Sequence, residues 1–232
     1  MHPVVFVNKP ANRTGIIIVV EIAKINTMKK TILYSTILAL VIAAASCGNN
    51  AETDPKKQAD SANDAKIDSA KKNDSTGTAL ASPIDSRQPD VDFAVAAADG
   101  GMMEVELGKM ASQKGVNTSI KKLGAMMVKD HSAANAELKK VAKEKNITLP
   151  ADLSDKCRKT VQDLSEKKGA DFDKAYADLM VSDHKEDIEE FKKEADKGKD
   201  SVLTAWARKK VPVLEHHLAM AEQAKKVTDN NK

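Results

Sequence analysis

Two short phrases in this chain place side chains able to do chemistry at matching positions. Residues 127–131 read MVKDH and residues 180–184 read MVSDH, in a chain with five histidines. An imidazole near neutral pH is a metal ligand, a proton carrier or a buried hydrogen-bonding group. His217 is a third candidate, with His216 beside it, and Glu104 follows a pair of glycines. Three imidazoles with one carboxylate (Glu104, His131, His184, His217) suit Zn(II) or Fe(II). A softer set overlaps with it. Met127 precedes His131 by four residues, Met180 precedes His184 by four, and Met220 follows His216 by four. One helical turn apart, thioether and imidazole can share an ion, and thioether favours Cu(I) or Ag(I). Asp130 and Asp183 adjoin two of the histidines. Neighbours on a helix point about 100° apart, so each aspartate is better placed to orient an imidazole on a different helix.

The competing reading is structural: histidines satisfied inside a core, methionines filling gaps, and aspartates on the helix surface. Four polar groups on inward faces cost free energy unless they pair or bind something, which keeps the metal reading in play. Other chemistry has little support. There is no phosphate loop, G-x-S-x-G, C-x-x-C or H-E-x-x-H. No catalytic residue is named, and a metalloenzyme is the weaker alternative. Cys157 reads as a small buried hydrophobe.

Helices must position these groups. The chain has four Phe, two Tyr and one Trp in 232 residues, and no run alternates with period two, so no sheet is expected. The spacing predicts a first helix capped by Asp90 or Asp92 and stopped by Gly115. A second opens at Asn117 or Ser119 and ends near Lys145. A short third opens at Ser154 and stops at Gly169. A fourth runs from about Asp171 to Asp196. A fifth, capped by Asp200 or Ser201, continues to about Thr228 with Pro212 inside it. Four long helices with short turns predict an all-α, antiparallel four-helix bundle over residues 90–228, with one small extra helix. On 3–4 stepping, Glu104, His131, His184 and His217 each fall in an apolar stripe, together with Gly100, Val213 and Val227 among others.

The N-terminal part reads differently. From Met28 the chain runs MKKTILYSTILALVIAAASC: a basic start, an apolar stretch, then small residues before Cys47. This is the order of an export signal over residues 28–46, and AASC resembles a bacterial lipobox in which Cys47 is acylated. Several acyl chains on one residue would anchor the protein stably to a membrane. Residues 1–27 are read as a gene-model extension. Residues 47–89 are poor in large apolar side chains and are expected to form a disordered tether. Residues 1–46 hold five of the 37 Lys and Arg but only one of the 34 Asp and Glu, so the rest is near neutral. That balance argues against a nucleic-acid partner.

The segments FAVAAADGGMMEVELGKMASQKG, MVKDHSAANAELKKVAKEKNITLP, GADFDKAYADLMVSDHKEDIEEFKKEA and LTAWARKKVPVLEHHLAMA together resemble the bacterial family called domain of unknown function 4142. The resemblance spans about residues 90–226. It implies a ferritin-like bundle common in envelope proteins and carries over no catalytic residues. Ferritin-like di-iron sites use Glu-x-x-His, and here Val128 and Val181 stand where those glutamates would be, so ferroxidase chemistry is not expected. The expectation is an envelope lipoprotein, facing the periplasm or on the outer membrane, whose bundle is a non-catalytic binding or stress-related module that holds a transition metal (Zn, Fe or Cu). The alternative is a structural or protein-interaction bundle with an envelope protein partner.

Overall fold

The computed structural model describes residues 54–74 and 87–230, and the expectations for residues 1–53 and 75–86, Cys47 included, lie outside them. Six helices follow in order: α1 (Pro55–Asp74), α2 (Gln88–Lys114), α3 (Thr118–Glu144), α4 (Asp155–Ser165), α5 (Gly169–Lys197) and α6 (Ser201–Asn230). There is no strand among the described residues, and no described helix is long and apolar enough to cross a membrane. The four long helices form two hairpins, α2 with α3 and α5 with α6, joined through α3 and α6.

The hairpins are tied by a reciprocal device. Asp90, near the start of α2, accepts backbone N–H groups of Lys199 (2.9 Å) and Asp200 (2.5 Å) in the α5–α6 turn. Asp173, near the start of α5, accepts those of Val116 (3.0 Å) and Asn117 (2.6 Å) in the α2–α3 turn. Each turn follows a glycine C-cap, Gly115 or Gly198. Orphan donors at one helix end are thus satisfied by a carboxylate from the other hairpin. Asp90 was expected to cap its own helix. Instead α2 opens on Arg87 without a side-chain cap. Asn117, Ser154 and Asp200 do accept N–H groups at the starts of α3, α4 and α6. Gly169 does not stop α4, which ends at Ser165. With φ +57 it opens α5.

Within the expected tether, residues 55–74 are helical. Asp54 Oδ1 caps α1 through the N–H groups of Lys56 and Lys57. Ala59, Asn63 and Ile67, four apart, form a short buried stripe. Asn63 makes a two-way bond with the backbone of Thr148, accepting at 2.7 Å and donating at 2.9 Å. Lys66 Nζ adds bonds to Asn146 O (2.9 Å) and Thr148 Oγ1 (2.7 Å), and Asp54 Oδ2 accepts the N–H of Asp155 (3.0 Å), so composition hides an attachment made by a few polar side chains rather than bulk apolar surface.

Two apolar clusters fill the bundle. One holds Phe93, Leu138, Phe191, Leu203 and Trp206; the other holds Leu107, Ile120, Leu123, Phe172 and Tyr176. Between α2 and α3 the backbones nearly touch: a Cβ on Gly108 would meet Gly124 O at 2.8 Å, and one on Gly124 would meet Gly108 O at 2.6 Å. Val213 and Val227 are exposed at 37% and 38% rather than inward, and Leu214 and Ala224 take the buried positions beside them.

Candidate metal centre

Each long helix contributes one buried polar residue to a single place between the clusters: Glu104 from α2, His131 from α3, His184 from α5 and His217 from α6. The ring centroids lie 5.6 Å apart for His131 and His184, 5.1 Å for His131 and His217, and 5.3 Å for His184 and His217. A ring nitrogen from each of the three histidines lies within 4.8 Å of those of the other two.

The outer nitrogens are tied to oxygens. His184 Nδ1 lies 3.0 Å from the Met180 carbonyl, which only accepts, so Nδ1 carries the proton and Nε2 keeps a lone pair. His217 Nε2 lies 3.1 Å from Asp130 Oδ2, and a carboxylate again takes the donor. That leaves His217 Nδ1 facing His184 Nε2 at 3.2 Å. His131 Nδ1 lies 2.6 Å from Glu104 Oε2, and its buried Nε2 has no hydrogen-bond partner. Each ring is held by an oxygen on one nitrogen, the free nitrogens of His184 and His217 face each other, and the three rings lie close enough for one nitrogen of each to share an ion. Metal-ligating histidines are oriented in the same way.

The 3.2 Å separation is informative. Two nitrogens at 2.0–2.1 Å from a tetrahedral Zn(II) are about 3.3–3.4 Å apart. Two facing lone pairs repel unless a proton or a cation lies between them. Burial, followed by the neighbouring imidazoles, pushes His184 down to about 3. Burial also takes His217 down to about 4 against the pull of Asp130, and lowers His131. The rings are therefore neutral near pH 7, the protonation state a metal requires.

Acids surround the triad. Burial, then the charge of Asp183, holds the Glu104 carboxyl well above its usual range. Burial lifts Asp183 to about 6, and Asp187 well above its usual range with help from Glu104 and Asp183. A cation among these groups would offset that penalty.

The chain belongs to the family described as domain of unknown function (DUF4142), which matches residues 75–224. No curated protein and no solved structure matches the chain. This DUF4142 domain thus brings together the four residues singled out from its sequence, with one change of part. Glu104 stands in the position of an orienting partner, with Oε2 2.6 Å from His131 Nδ1 and Oε1 3.5 Å from His184 Nδ1. Asp130 serves His217 on another helix, as its position beside His131 suggested. Asp183 is half-buried and makes itself felt on Glu104 through its charge. Of the soft-donor set, Met127 and Met180 are buried in the second apolar cluster, Met220 packs against it, and His216 is exposed. Asp187, three residues after His184, was missed. Its position on the inward side of α5 was the available signal.

Cys157 is buried, with its Sγ 3.2 Å from Asp99 Oδ2, and burial pushes its thiol up to about 12. That environment suits an inert thiol.

Proposed function

We propose that this DUF4142 bundle is a non-catalytic metal-binding module that holds a first-row ion, Zn(II) in the first instance, on His131, His184 and His217. The observation that carries the reading is the 3.2 Å approach of His184 Nε2 and His217 Nδ1 while both opposite nitrogens are engaged by oxygens. Glu104 and Asp130 orient rings and contribute compensating charge. Three imidazoles also accept Fe(II) or copper, so the ion is decided by competition. The test is metal analysis of the full chain purified without oxygen, followed by titration with Zn(II), Fe(II) and Cu(I). Binding tighter than about micromolar that disappears when the three histidines become leucine is the expected result. Binding that survives the triple change sinks the site. No binding tighter than about micromolar favours the structural reading, in which a proton joins the rings.

The setting is a further part of the proposal. Cys47, at the end of an export-like leader, anchors the domain to a bacterial envelope membrane. A Cys47→Ala chain that still fractionates with membranes would count against acylation.

A further inference from the structure

A cavity of about 40 Å³ adjoins the triad, lined by Gly100, Glu104, His131, Trp206, Lys210 and His217 among others. It admits water-sized groups and suits a small polar ligand. Three of its lining residues carry buried polar atoms without a hydrogen-bond partner: Trp206 Nε1, Glu104 Oε1, which also lies 3.5 Å from His184 Nδ1, and His131 Nε2, which the ion would take. Their residues are 7%, 1% and 6% exposed, so bulk water does not satisfy them. Orphaned donors and acceptors around one small space mark a place where something polar belongs.

Coordination points the same way. A closed structural zinc site has four protein ligands, whereas three leave a position for an exogenous group. Glu104 has one oxygen against His131 Nδ1 and the other 3.5 Å from His184 Nδ1, both on the outer side of the rings, and Met127 and Met180 are buried in the second apolar cluster. The fourth position is left to what fills the cavity.

We propose that the ion's fourth position opens on this cavity and carries a water that small inorganic ligands displace. This rests on the metal reading above. Trp206 Nε1–H and the Lys210 ammonium, which is 2.8 Å from Glu137, supply donors on the ligand's side. Asp130 and Asp187 also line the space, and with Glu104 they disfavour bulky or multiply charged anions. Gly100 provides the entrance: a Cβ built there meets no atom within 4 Å.

The test uses the full chain loaded with Co(II), whose visible spectrum reports coordination, titrated with azide and with the larger imidazole. Saturable azide binding with no response to imidazole is expected. Gly100→Leu, which fills open space, should weaken azide by about tenfold or more while leaving Co(II) affinity unchanged. Trp206→Phe keeps the ring stacking and removes the N–H, and should weaken azide several-fold. A Co(II) spectrum that azide does not move overturns the open position while leaving the metal site standing. Equal azide binding by wild type and Gly100→Leu overturns the cavity as its route. Failure to bind Co(II) at all overturns the metal site and this inference with it.

Discussion

His184 Nε2 and His217 Nδ1 face each other at 3.2 Å inside the bundle, each on a ring whose other nitrogen is already held by an oxygen. Without an ion, that contact needs an extra proton which burial disfavours, since both rings are pushed well below the ordinary imidazole range. The metal-free fold therefore gains little from the pair.

Changing His184 and His217 together to leucine should leave metal-free stability unchanged or raise it by about 1 kcal/mol, because two unsatisfied polar groups give way to apolar ones. Wild type should gain about 2.7 kcal/mol from Zn(II) at a hundredfold excess over Kd, about 5–10 °C in Tm, and the double variant nothing. Calorimetry with and without zinc checks both. A large loss of metal-free stability in the variant would mean that the rings are structural partners.

Asp130→Ala should weaken metal binding by about 10–100-fold with little loss of fold, since the aspartate orients His217 and its side chain is 28% exposed. Competition against a chromophoric chelator measures it. Unchanged affinity would remove Asp130 from the site.

Protons should compete poorly with the ion. The folded-state values near 3 for His184 and 4 for His217 mean that falling pH protonates these lone pairs only below about pH 4. An ordinary imidazole, near 6.5, would lose its ion about three units higher. Equilibrium dialysis at pH 5.5 should still find metal bound, with release between about pH 4 and 3.

Glu194 offers a pH dependence remote from the triad. Burial, then the charges of Asp90 and Asp200, raises its carboxyl to about 7, and its buried Oε1 has no partner. A raised acid stabilises the fold below its unfolded value and loses that contribution as pH climbs through 7. Glu194→Gln should therefore match wild type near pH 4.5 and exceed it by on the order of 1 kcal/mol at pH 8. Urea melts at the two pH values decide it.

Asn63→Ala should release α1 while the bundle stays folded, because both polar atoms of that buried amide bond Thr148. Limited proteolysis should then cut within residues 55–74, with zinc affinity unchanged. A protected α1 would place the attachment elsewhere, with Ile67 and Lys66 as the next candidates.

The bundle was legible because helical periodicity and glycine stops are local properties, and because polar residues within apolar stripes stand out. Glu104, His131, His184 and His217 were found that way. What each ring nitrogen does was not legible. It depends on heights along neighbouring helices: His217 reaches Asp130 only because α6 lies beside α3 at that level. Asp90 looked like a cap for its own helix, and only the antiparallel packing sends it to the turn at Lys199. The α1 attachment was hidden because the few polar side chains that make it, Asn63 and Lys66 foremost, contribute almost nothing to composition.

The Gly108–Gly124 crossing makes the α2–α3 pair a pair of shears, with its rivet one helical turn from Glu104. Four residues along a helix is about 6 Å, so Glu104 sits on a short arm, while His131, seven residues from Gly124, sits on a longer one of about 10 Å. Any side chain at the rivet would spread the blades, and the 2.6 Å grip between Glu104 and His131 would be among the first contacts to part. Two glycines that touch neither imidazole nor carboxylate thus set the aperture of the whole centre.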